Sequence, residues 1–134
     1  MSNNTHRMKN ISCKKDEIDQ NKIYNFEKEL GLLDSNFKKA SSVIGLIGNE
    51  VRLKLVWLIA YEKFCVCDLA DILQMSVPAV SQHLRKLKDV GIVLYKREKH
   101  TLFYSLSPKN KDNVLHILKL VPQRIRSENE KKVC

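Results

Sequence analysis

No apolar run in this chain approaches the ~18 residues that a helix needs to span a bilayer. The start, Met1-Ser2-Asn3-Asn4-Thr5-His6-Arg7, is polar and lacks the apolar core of an export signal. Both absences predict a cytoplasmic protein with no membrane partner. Cysteine is scarce, with four in 134 residues, at Cys13, Cys65, Cys67 and Cys134. In a reducing compartment these serve better as metal or redox ligands than as a disulfide framework. There are no internal repeats, and no grouping of acids, bases and nucleophiles stands out, so neither an enzyme nor an organic cofactor is expected. Negative charge is also in deficit: 15 Asp and Glu against 24 Lys and Arg leave a formal net charge of +9. That balance favours a polyanionic partner, nucleic acid ahead of a membrane surface. The length allows one small domain with tails, and a core this modest gains from dimerisation.

What the chain does contain is organised around Cys65-Val66-Cys67-Asp68-Leu69-Ala70. From Asp68 to Leu73 the apolar residues Leu69, Ile72 and Leu73 have the i, i+3, i+4 spacing of a buried helical face. Gln74-Met75 is a short break. Ser76 can cap a second helix with Pro78 in its first turn, where a missing N–H costs nothing, and Gly91 ends that helix after Val90. At ~100° per residue, Val77, Val80, Leu84 and Leu87 fall on one side and should pack inward. Pro78, Ser81, Gln82, Arg85 and Lys86 fall on the other. Two helices with a tight break, the second carrying short polar side chains and then cations on its outer face, form a helix-turn-helix that can read a major groove and hold phosphates. A solvated basic face is the competing interpretation.

Around this unit, residues 1–16 are a polar arm without periodicity, carrying Cys13. The spacing predicts a helix from Glu17 to about Leu30, with Ile23, Phe26 and Leu30 in register and Gly31 at its end. Asp34 or Ser35 can cap a second helix, Asn36 to Ile47, with Phe37, Val43, Ile44 and Ile47 inward. Gly48-Asn49 breaks it. Glu50 to Tyr61 is apolar around much of its circumference and is central to the core; Trp57 packs there, while Arg52 and Lys54 face phosphate or solvent. Beyond the helix-turn-helix, alternating runs Ile92–Arg97 and Thr101–Leu106 predict a β-hairpin. Lys96, Arg97, Lys99 and His100 put positive charge near its tip, suited to minor-groove or backbone contact or to guarding an edge strand. Ser107-Pro108 predicts the start of a last helix with Val114, Leu115, Ile117, Leu118 and Val121 on its apolar side, ended by Pro122. His83 is expected to pack between helices. The domain is thus 17–121, mainly α with a β-hairpin wing, and 122–134 is a polar tail.

Several motifs in order resemble the ArsR/SmtB family of metal-responsive winged-helix repressors. They are Leu46-Ile47-Gly48-Asn49-Glu50-Val51-Arg52-Leu53, the Cys65–Ala70 run, Val80-Ser81-Gln82-His83-Leu84 and Leu102-Phe103-Tyr104-Ser105-Leu106. The likeness covers about residues 36 to 120, and the cadmium/lead-responsive type, with its Cys-Val-Cys helix and arm cysteine, is the most similar. It implies a homodimeric winged helix-turn-helix joined through its first and last helices. It also implies a repressor that leaves operator DNA when a thiophilic ion binds.

The cysteines fit that chemistry. Cys65 and Cys67 lie at a helix N-terminus, whose partial positive charge favours thiolate, and sulfur selects Cd, Pb, Hg, As, Zn or Cu(I). Two ligands do not close a site. Cys13 is the best candidate for a third, from its own subunit or the partner, and Cys134 a weaker fourth. The chain departs from its relatives in two places. Arsenic-type members carry a third cysteine where this chain has Ala70. The zinc-type site on the last helix falls on Pro108, Asn110 and Val121 and is absent, with His116 out of register. The DNA-contact candidates are Ser76, Pro78, Ser81, Gln82, Arg85, Lys86, Arg97, Lys99 and His100. Three rival readings are a thiol-based redox or persulfide sensor on the same fold, a thiol oxidoreductase, and a protein-binding winged helix with vestigial DNA contacts.

Overall fold

Helix α1 (Glu17–Ile47) opens the described part of the chain, residues 17–122 of a computed structural model. It is one helix of 31 residues where the sequence predicted two. Gly31 in a helix interior costs only about 1 kcal/mol. No proline interrupts this segment, and Asp34, instead of capping, pairs with Lys38 one turn on at 2.9 Å. The chain divides into two units, residues 1–39 and 40–134. Within the second unit Ile47 is buried and Val43 packs against the core, but Ile44 is 60% exposed. Phe37, also expected inward, is exposed, as are Ile23, Phe26 and Leu30.

Gly48-Asn49 breaks the backbone as expected, and Asn49 caps α2 (Glu50–Tyr61) by accepting from the Arg52 N–H at 3.1 Å. Leu55, Val56 and Ile59 of α2 are buried at the centre of the core, and Trp57 meets Tyr61 edge-on at 4.8 Å. Next come β1 (Phe64–Cys65), α3 (Val66–Leu73), α4 (Val77–Asp89), β2 (Val93–Glu98), β3 (Thr101–Leu106) and α5 (Lys111–Leu118). Leu69 and Ala70 from α3, Val80, Leu84 and Leu87 from α4, Ile92 and Val93, and Val114 and Leu118 from α5 complete the core.

The sheet is antiparallel with strand order β1-β3-β2. Its hairpin closes from Val93 opposite Leu106 to Glu98 opposite Thr101, leaving Lys99-His100 as a two-residue turn. Lys99 takes φ 58° there, the conformation that type II′ turns usually give to glycine. The strand β1 was not anticipated, because two residues are too few to show alternation. It pairs Cys65 with Phe103 and Phe64 with Tyr104.

Three further expectations need correction. Ile72 is 51% exposed and Val77 is 40% exposed, because each sits at the margin of its helix's inward face. Helix α5 starts at Lys111 and not at the Ser107-Pro108 cap. Ser107 instead begins a turn closed by Asn110 N–H to its carbonyl at 3.2 Å. The Asn110 amide then donates to the Gly91 carbonyl (2.8 Å) instead of capping its own helix. Leu115 is exposed, while Val114 and Leu118 carry the packing of that helix.

Gly91 follows the C-cap of α4 in the left-handed region, φ 76°. Ile92 N–H bonds the Leu87 carbonyl and Gly91 N–H the Lys88 carbonyl, both at 2.9 Å, the paired bonds of a Schellman motif. Met75 and Gln74 close α3 similarly, onto Ala70 at 3.0 Å and Asp71 at 3.2 Å, with Gln74 at φ 54°.

Candidate nucleic-acid interface and its cysteine pair

The outward side of α4 is built by its cap and by its burial. Ser76 accepts from the Ala79 N–H at 3.3 Å, and Pro78 occupies the first turn. With Val80, Leu84 and Leu87 fully buried, the helix has one rotational setting. That setting exposes Pro78, Gln82, Arg85 and Lys86 and leaves Ser81 half-buried beside them. The α3–α4 pair and the wing lie on one continuous framework. Lys88, in the last turn of α4, places its ammonium 4.3 Å over the Tyr95 ring, and Tyr95 leans on Tyr104 at 5.9 Å across the hairpin. Burial pushes the Tyr104 hydroxyl above its ordinary value. At the far end Lys96, Arg97, Lys99 and His100 are all exposed. Every described DNA-contact candidate is therefore at or near the surface, on α4 or on the wing.

Arg52 and Lys54, read as facing phosphate or solvent, both have partners within the chain. Lys54 pairs with Glu50 at 2.7 Å. Arg52 donates through Nε to the Leu46 carbonyl at 2.6 Å, and its Nη1 lies 3.4 Å from His83 Nδ1. Nothing in the spacing pointed to this contact, which joins positions 31 residues apart. A second such contact ties the segment before β1 to the wing: Lys63 pairs with Glu98 at 2.6 Å and sits 5.0 Å over the Phe103 ring.

Cys65 and Cys67 are free thiols, the first half-buried and the second exposed. Cys65 has extended backbone (φ −81°, ψ 161°), ends β1 and is the N-cap of α3, where its side chain makes no capping bond. Two thiols flanking Val66 at a helix start are a suitable beginning for a soft-ion site. No group of three His, Cys, Asp or Glu among the described residues is placed to hold a metal. Such a site would need a third ligand from outside the described residues. Cys13 and Cys134 lie outside the described residues, with the rest of the arm and the tail.

A helix-turn-helix whose second helix carries the exposed polar and cationic face, followed by a basic hairpin, defines a winged-helix regulatory domain. The sequence profile described as "Bacterial regulatory protein, arsR family" matches residues 49–95. The chain is 29% identical over 119 residues to the cadmium resistance transcriptional regulatory protein CadC homolog of Staphylococcus aureus, covering 88% of this chain and 92% of that one. It is 31% identical over 98 residues to the cadmium resistance transcriptional regulatory protein CadC of Listeria innocua, covering 72% and 81%. Among solved structures, reduced HlyU from Vibrio cholerae superposes with a TM-score of 0.62 at 30% identity, over 68% of this chain and 97% of that one. The chain belongs to the arsR family of bacterial regulatory proteins. The two CadC relatives are transcriptional regulators and not enzymes, in line with the lack of a catalytic grouping in the sequence. Among the described residues no helix is long and apolar enough to cross a membrane.

Proposed function

We propose that this protein is a transcriptional repressor that binds operator DNA as a homodimer and is released by a thiophilic ion held by Cys65 and Cys67. The observation that carries this reading is the position of the two thiols, at the first turn of the helix that buttresses α4. The contacts to DNA fall to Ser76, Pro78, Ser81, Gln82, Arg85 and Lys86 in the major groove and to Arg97, Lys99 and His100 at the wing. Two copies would present two such helices to successive half-sites. The exposed apolar residues of α1, Ile23, Phe26, Leu30, Leu33 and Phe37, recur at three- and four-residue spacing and support pairing through that helix.

Cys13, in the arm, is the ligand that would complete a three-thiolate site with Cys65 and Cys67. Such a site suits cadmium, lead, mercury, arsenite or zinc, and the names of the CadC relatives favour cadmium. The bound ion would supply a cross-link between arm and α3. Release follows only if the cross-linked form fits DNA less well; ~3 kcal/mol of such coupling weakens binding about 150-fold.

The test is a gel shift with reduced protein and a duplex recovered by that protein from a random pool, titrated with cadmium and, separately, with peroxide or polysulfide. Cadmium should release the wild type and leave the Cys65→Ser, Cys67→Ser variant bound. Release of that variant by cadmium refutes the assignment. Release of the wild type by oxidant alone would make the same thiols a redox sensor.

A further inference from the structure

Arg52 carries more contacts than its place on α2 requires. Its backbone N–H is capped by Asn49, its Nε reaches the Leu46 carbonyl at 2.6 Å, and its Nη1 lies 3.4 Å from His83 Nδ1. The Leu46 carbonyl lies in the last turn of α1, where it also accepts a long bond from the Asn49 N–H at 3.5 Å. A guanidinium has no acceptor, so the Nδ1 of His83 must present its lone pair. A hydrogen bond at this contact thus calls for a neutral ring with its proton on Nε2. One side chain thus spans the last turn of α1, α2 and α4. His83 stands on α4 directly after Ser81 and Gln82 and two residues before Arg85, so its setting is also theirs.

We propose that Arg52 is a positioning residue for the recognition helix: it holds α4 to the end of α1 through neutral His83, and a proton on His83 undoes that hold. The proposal rests on the reading of α4 as the DNA-contacting helix. The charged groups acting on the ring are both cations, Arg52 from α2 and Lys86 from its own helix. Together with burial, the larger cause, they hold its titration below the usual histidine range. A protonated ring would be a donor facing a donor and a third positive charge beside two. Acid should therefore loosen the setting of α4.

The experiment uses the full reduced chain and a duplex selected by the wild type from a random library of about 30 bp, long enough for two half-sites. Affinity is measured at about pH 7.5 and about pH 5.5, on either side of the ordinary histidine value, for wild type, His83→Gln and Arg52→Met. Circular dichroism confirms that each is folded at both pH values. The glutamine side chain of the His83→Gln variant keeps an acceptor for Arg52 and cannot titrate. That variant should match wild type near neutrality, and the ratio of wild-type to variant affinity should fall on acidification, by less than the roughly tenfold that an imidazole of ordinary pKa would give over this interval. Arg52→Met should weaken binding at the higher pH.

Nitrogen-15 spectra of the histidine rings, without DNA, provide an independent reading. His83 should show the Nε2–H tautomer and should titrate at a higher pH in Arg52→Met. A ratio that stays flat with pH, or an Nδ1–H tautomer in the wild type, overturns the proposal. Failure of the wild type to select any duplex overturns the DNA reading and the positioning role with it, even if the ring spectra show the Arg52 contact.

Discussion

Replacing Gly91 by alanine isolates one torsion angle at the junction between the recognition helix and the wing. The Cβ that alanine adds would find its nearest neighbour, Asn110 Nδ2, at 3.7 Å, an ordinary contact, so no clash contributes. The backbone at φ 76° does contribute. An L-residue in the left-handed region costs roughly 1–2 kcal/mol, and the lost flexibility of the unfolded chain returns about 0.4–1 kcal/mol. The net expectation is a loss of about 1 kcal/mol. For a cooperative unit of this size that is a fall in Tm of about 4–8 °C, read by circular dichroism at fixed protein concentration, because any self-association makes Tm concentration-dependent. D-alanine at the same position, introduced by chemical ligation, keeps the entropic gain without the strain and should stabilise by about 0.5 kcal/mol. If L-alanine is neutral, or if the two enantiomers behave alike, the Schellman closure is not what holds this junction.

Other outcomes follow from the same structure. Gln74, at φ 54° and ψ 45° at the end of α3, is a side chain in a glycine position, so Gln74→Gly should stabilise by about 0.5–1 kcal/mol in urea titration. His83 is held below its ordinary value in the folded chain, so the unfolded chain takes up its proton first as pH falls. Its contribution to stability is complete above about pH 6.5 and declines below it; denaturation midpoints compared with His83→Gln should diverge only on that acid side. Leu30→Asp puts a charge into the exposed apolar stripe of α1. If the chain pairs through α1 as proposed, the variant should sediment as a monomer at micromolar concentration while the circular dichroism of the chain shows that it remains folded. An unchanged sedimentation coefficient would place the dimer contact elsewhere.

Where local chemistry decides structure, the sequence was legible. Ser76 was read as a cap, and α4 starts one residue after it; Asn49 was read only as part of a break, and it also caps the helix that follows, α2. The buried side of α4 was legible because Val80, Leu84 and Leu87 repeat at helical spacing; Val77, one turn before the rest, lies at the edge of the stripe and stays exposed. Where a choice between two weak local signals is settled by distant groups, it was not legible. Gly31 looked like a stop, but the cost of one glycine is smaller than the gain from continuing the helix. Asn110 was read only as the place of a missing metal ligand, yet its amide donates to a carbonyl 19 residues away, and α5 starts later than Pro108 suggested. The Arg52–His83 contact links two segments whose approach depends on the whole core, and no motif encodes it. The cysteine pair was legible as two thiols at the start of a helix. Its participation in a sheet was not, because β1 exists only by virtue of the strand opposite it.

That short strand has a consequence of its own. No residue separates β1 from α3: Cys65 finishes one and Val66 begins the other. Across the sheet Cys65 faces Phe103, and along the chain it launches the helix that supports α4. The setting of the hairpin and that of the helix pair thus meet at a single α-carbon. Under the proposed function, an ion fastened to its sulfur would bear on both halves at once, and a substitution at that joint would disturb the wing and the helix pair together.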